Sequence, residues 1–118
     1  MPVSVLIIRL QPALAAGNTV IYKPSEKAPL GTLALGPLIQ QCFPPGVINI
    51  VNGAGKTGQL LAAHMEIRQI AFIGSTVTGR KIQEAAAKSN LKRVSLELGG
   101  KSPSLIFDDA NIELAVAK

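Results

Sequence analysis

The feature that most constrains this chain is an alternation. Four apolar runs of strand length, each followed within two residues by glycine or proline, are separated by longer stretches with helical spacing. Residues 18–23 (NTVIYK) stop at Pro24, which lacks the amide a central strand would use. The others are 47–51 (VINIV), 69–73 (QIAFI) before Gly74, and 94–98 (VSLEL) before Gly99. Between the first two, 29–41 carries Leu30, Leu33, Ala34 and Leu38 near helical spacing, with Pro29 in the first turn and Pro37 expected to kink it. Helices are further expected over 57–64 and 76–88, with a helix and turn over 3–16. A fifth strand is expected at 104–107, then a last helix capped by Asp108-Asp109. Strands alternating with helices over short loops predict an α/β fold: a Rossmann-like parallel sheet with helices on both faces. VINIV and IAFI are continuous apolar runs, as strands buried on both sides would be.

A length of 118 residues allows one modest domain. The only aromatic residues are Tyr22, Phe43, Phe72 and Phe107, so the core is aliphatic. The net charge of +5 raises the question of nucleic acid. Yet the one basic group (Arg80, Lys81, Lys88, Lys92, Arg93) contains Glu84 and no stacking aromatics, and reads as a solvated helix face. Cys42 is the single cysteine and His64 the single histidine, which leaves no metal-ligand spacing and fits a reducing, cytoplasmic setting. His64 is expected at the surface or capping a helix. The apolar run 3–16 resembles a secretory signal, but it has no basic leader and is interrupted by Arg9 and Pro12. It is also shorter than the ~20 residues a membrane span needs.

Parallel α/β sheets hold ligands beyond the carboxyl ends of their strands, which directs attention to loops 22–27, 52–58, 73–79 and 97–101. Residues 53–58 match G-x-G-x-x-G, but the acidic residue wanted about 20 positions on is replaced by Ile73-Gly74-Ser75. A Walker A loop is excluded because its opening glycine would fall on Ile50. Residues 74–79 suit a pyrophosphate better: Gly74 and Ser75 open a helix whose free amides attract anions, and Gly79 permits close approach. The alternative is a capped helix start with a packing glycine. In the first loop, Glu26 offers an acceptor to ribose hydroxyls and would repel a 2′-phosphate, favouring NAD over NADP, while Lys23 offers a donor. The alternative is a surface pair flanking a turn. Glu97 lies in a near-continuous apolar strand just before two glycines. A carboxylate partly desolvated there has the raised pKa of a general base, unless strand alternation turns it to solvent.

Taken together, several segments resemble the NAD(P)-dependent aldehyde dehydrogenase superfamily. They are PALAAGNTV at 12–20, KPSE at 23–26, FPPGVIN at 43–49, FIGST at 72–76 and LELGGKSP at 96–103, the last being the family's glutamate signature. The resemblance covers nearly the whole chain. It implies that Lys23 and Glu26 bind the adenosine ribose, that the adenine pocket is lined near Gly55, and that Ser75 contacts the pyrophosphate; Ser25, Gly74 and Gly79 of the same loops complete the expected cofactor-binding set. Leu98 joins the cofactor-binding set and Gly99 lies beside the nicotinamide. Glu97 matches the base that activates water for thioester hydrolysis, in the oxidation of an aldehyde to an acid by NAD, with NADP the lesser alternative. No nucleic acid or membrane partner is implied, and the full-length enzyme is expected to be a cytoplasmic homo-oligomer.

Three departures shape the expectation. Ile73 stands where the family usually has Thr, and the segment at Gln41-Cys42-Phe43 is one residue short. Cys42 precedes the glutamate motif, whereas the family's nucleophile follows it, so Cys42 is read as a small apolar residue. Pro2 matches the proline of the family's Trp-Asn-x-Pro motif, and the chain ends at Lys118 before the nucleophilic cysteine and the oligomerisation segments. Residues 1–118 are thus expected to be a partial dinucleotide-binding domain, incomplete at both ends and without turnover by itself. The competing expectation is a non-catalytic module that binds NAD or pairs with other subunits.

Overall fold

The computed structural model describes residues 2–117, with the side chains of Pro2 and Val3 excluded. Met1, Lys118 and the side chain matched to the Trp-Asn-x-Pro proline therefore lie outside the described residues. Ten elements follow in order: α1 (Pro2–Ala15), β1 (Val20–Tyr22), α2 (Leu30–Leu33), α3 (Gly36–Cys42), β2 (Ile48–Ile50), α4 (Gly55–Ala63), β3 (Gln69–Gly74), α5 (Thr76–Lys88), β4 (Arg93–Leu98) and α6 (Ile112–Val116).

The α/β alternation is as expected, and both strand pairs are parallel. Val20 pairs with Ile48 through Tyr22 with Ile50, and Gln69 with Arg93 through Gly74 with Leu98. Among the described residues these form two separate two-stranded sheets rather than one. The helical crossovers, α2 and α3 in one unit and α5 in the other, are what make parallel pairing possible.

Sequence details account for the element ends. Helix α1 closes where Gly17, at φ 76°, lets Asn18 N–H reach Ala13 O and Gly17 N–H reach Leu14 O, a Schellman stop that frees the chain to enter β1. The expected helix over 29–41 is two helices, because Pro37 cannot donate an amide within a helix and instead sits in the first turn of α3. Ser75 caps α5, its Oγ accepting from Thr78 N–H at 3.3 Å.

Four expectations are corrected. Residues 104–107 form no strand: Leu105 and Phe107 are exposed, and among the described residues the segment pairs with neither sheet. Helix α6 is capped by Asn111, whose Oδ1 accepts from Leu114 N–H at 3.0 Å, not by Asp108-Asp109. The strands are not buried on both faces: Asn49, Ala71 and Ile73 are exposed. Lys92 does not belong to a solvated face, since it is 6% exposed and its Nζ donates to Ala62 O and Ser89 Oγ, both at 2.6 Å. That ammonium ties the ends of α4 and α5 together. Arg80, Lys81, Lys88 and Arg93 are exposed as expected.

Helix α5 lies against β3 and β4. The close approach needs Gly79: a Cβ there would come within 2.9 Å of Leu98 Cδ2. The opposite face, carrying Ile73 and its register partner Glu97, meets α1 across a cleft.

Candidate active site

The carboxyl ends of the strands gather the expected residues in two places. At the ends of β1 and β2, Lys23 Nζ donates to Gly53 O at 2.7 Å and to its neighbour Pro24 O at 2.8 Å, linking the two loops. Glu26 Oε2 stands 3.9 Å from the same ammonium, so the donor and the acceptor expected at a ribose are adjacent. Ser25 is committed to its own turn, its Oγ accepting from Lys27 N–H at 3.3 Å. Gly55 opens α4 and is exposed. Tyr22, at the end of β1, has its hydroxyl pKa pushed up from the usual 10.0 by burial.

At the ends of β3 and β4, a cleft of about 610 Å³ is lined by Ile73, Gly74, Glu97, Leu98 and Gly99, with Val5, Ile8 and Arg9 of α1 forming the other wall. Ser75 follows directly, at the start of α5. Its hydroxyl accepts from Thr78 N–H and donates to Thr78 Oγ1 at 3.0 Å, while the first-turn amides of Thr76 and Val77 have no partner within the helix by its geometry. Gly79 is buried against Leu98, as a packing glycine would be.

The Glu97 side chain is 65% exposed, so the desolvation expected of it is not supplied by the described residues, and strand alternation does turn it outward. What the sequence did not disclose is its partner. Arg9 Nη2 lies 3.6 Å from Glu97 Oε1, and the Arg9 side chain is 29% exposed. Read along the chain, Arg9 merely interrupts an apolar run; the usable signal was that a cation within an apolar helix needs an anion nearby. Cys42 is elsewhere, in a groove between α1 and α3 with Leu38 and Phe43, and does not line the Glu97 cleft. His64 is exposed at the end of α4, its Nδ1 accepting from Glu66 N–H at 3.2 Å. Among the described residues no three potential metal ligands come together, and no helix is long and apolar enough to cross a membrane.

Parallel β-α-β units, with a capped helix start and a carboxylate at the strand ends, define part of a Rossmann-like nucleotide-binding fold. The chain belongs to the aldehyde dehydrogenase family, which it matches over residues 1–118. It is 56% identical over 117 residues to an aldehyde dehydrogenase of Agaricus bisporus, covering 98% of this chain and 23% of that protein. The structure resembles that of a lactaldehyde dehydrogenase at TM-score 0.92 and 41% identity, covering 98% of this chain and 24% of the other. It also resembles PnpE in complex with nicotinamide adenine dinucleotide at TM-score 0.84 and 57% identity, covering 90% and 22%. The chain thus spans about a quarter of the length of the relatives it matches.

Proposed function

We propose that this chain is part of the dinucleotide-binding domain of a longer NAD-dependent aldehyde dehydrogenase, with Glu97 as the base that hydrolyses its acyl intermediate. The observation that carries the reading is the cleft at the ends of β3 and β4, where the Glu97 carboxylate and Gly99 share a wall with Gly74.

The residues present fit a dinucleotide. Lys23 and Glu26 already stand as a donor and an acceptor 3.9 Å apart, suited to vicinal ribose hydroxyls, and the Glu26 carboxylate would repel a 2′-phosphate. The first turn of α5 directs backbone amides at a pyrophosphate beside Gly74 and Ser75, and Gly99, without a side chain, lets a flat ring approach the strand end. When bound there, NAD would supply the hydride acceptor for an aldehyde held as a thiohemiacetal on a cysteine of the longer enzyme, leaving a thioester. Glu97 then takes a proton from water while the water oxygen bonds to the thioester carbonyl carbon. The carbon–sulfur bond breaks, the thiolate returns and the acid leaves. Cys42, the one cysteine of this chain, lies in the other groove, so the chain alone is expected to show no turnover.

We place the enzyme in the cytoplasm, in keeping with a lone exposed cysteine, and infer that it acts as a homo-oligomer on an aldehyde. The test is Glu97→Gln in the full-length enzyme. A retained burst of NADH, with steady-state acid formation reduced about 10²-fold or more, is the expected result. Unchanged steady-state turnover would refute the assignment.

A further inference from the structure

The Glu97 carboxylate makes no hydrogen bond among the described residues, and the one charged group within reach is Arg9. Arg9 is equally underused: its Nε is buried with no hydrogen-bond partner, and its neighbours along α1, Ile8 and Leu10, offer none. A cation half-buried on an apolar helix and an exposed carboxylate on a facing strand thus meet at 3.6 Å across the cleft, through Glu97 Oε1 only. That separation is longer than a hydrogen bond, so the pair attracts without locking.

Resting on the reading of Glu97 as the hydrolytic base, we propose that Arg9 is its positioning residue. The guanidinium draws Oε1 toward α1 and leaves Oε2, which has no described partner, to take the proton of the attacking water. A mostly exposed glutamate on a strand end otherwise samples several rotamers, and a base must sit within hydrogen-bond reach of the water it activates. Because the contact is a single long ion pair, Glu97 can be held without being immobilised, and the geometry asks for a cation at position 9 more than for a particular fork of donors.

The experiment separates the two half-reactions in the full-length enzyme by stopped flow, following NADH formation and then steady-state acid release. Arg9→Met is expected to slow acyl hydrolysis about tenfold while leaving the rate and amplitude of the NADH burst unchanged, and Arg9→Lys is expected to restore most of the loss. A purely structural role would depress burst and hydrolysis together, and that result in both Arg9→Met and Arg9→Gln would overturn the proposal. Normal hydrolysis in Arg9→Met, with hydrolysis abolished in Glu97→Gln, would overturn the proposal and leave the base assignment standing. Normal hydrolysis in Glu97→Gln would remove both.

Discussion

Lys92→Met removes a buried ammonium while keeping an unbranched stem of similar length, and its cost can be worked from the contacts. Two charge-assisted bonds are lost, to Ala62 O and to Ser89 Oγ. Ser89 Oγ still donates to Ala86 O at 3.2 Å, so that hydroxyl remains satisfied. Ala62 O, near the end of α4 in a residue 2% exposed, is left without its partner. A buried carbonyl so orphaned costs about 1–3 kcal/mol. Loss of a cation beside the carboxyl ends of two helices adds about 0.3–1 kcal/mol. Relief of the desolvation of the buried ammonium offsets part of this, which leaves a net loss of about 2 kcal/mol. With a urea slope of about 2 kcal/mol per molar, the unfolding midpoint followed by far-ultraviolet circular dichroism should fall by about 1 M. A midpoint within about 0.2 M of the parent would show that Lys92 is not what joins the ends of α4 and α5.

Tyr22 is the only tyrosine and the chain has no tryptophan, so absorbance at long ultraviolet wavelength follows one phenol. Its folded pKa is raised by burial, so the stability it contributes is present below the unfolded value of 10.0 and is lost as pH rises through the folded value. The titration midpoint should lie above that of the urea-unfolded chain, and coincident midpoints would refute the burial argument. Glu26→Ala is expected to weaken NAD binding about tenfold by calorimetry, with NADP affinity unchanged or improved, and an equal loss for both cofactors would count against ribose recognition.

The candidate site was partly legible because two of its signals are local. Ser75 follows a strand and opens a helix, and its hydroxyl does cap that helix. Glu97 stood out as a charge in an apolar run, and its place on the strand end at the cleft follows from strand geometry. Its environment was not legible: partial desolvation was expected, yet the side chain is largely exposed and faces a cation brought from the first helix. Gly79 showed the same limit, since a glycine in a phosphate loop and a glycine under a neighbouring leucine look alike until the strand is placed 2.9 Å from its missing Cβ.

The order of helices and strands, their parallel pairing and the helix stops were determined by sequence alone, because backbone preferences and turn chemistry act over a few residues. Gly17 ends α1, Pro37 divides the helix expected over 29–41, and the apolar runs became strands within one or two residues of their expected limits, apart from 104–107. Only the tertiary structure decided which charges meet. Arg9 with Glu97, Lys23 with Gly53 and Lys92 with Ala62 join residues remote in the chain. Their partners are chosen by where helices cross strands, and a charge inside an apolar segment announces only that some partner is required.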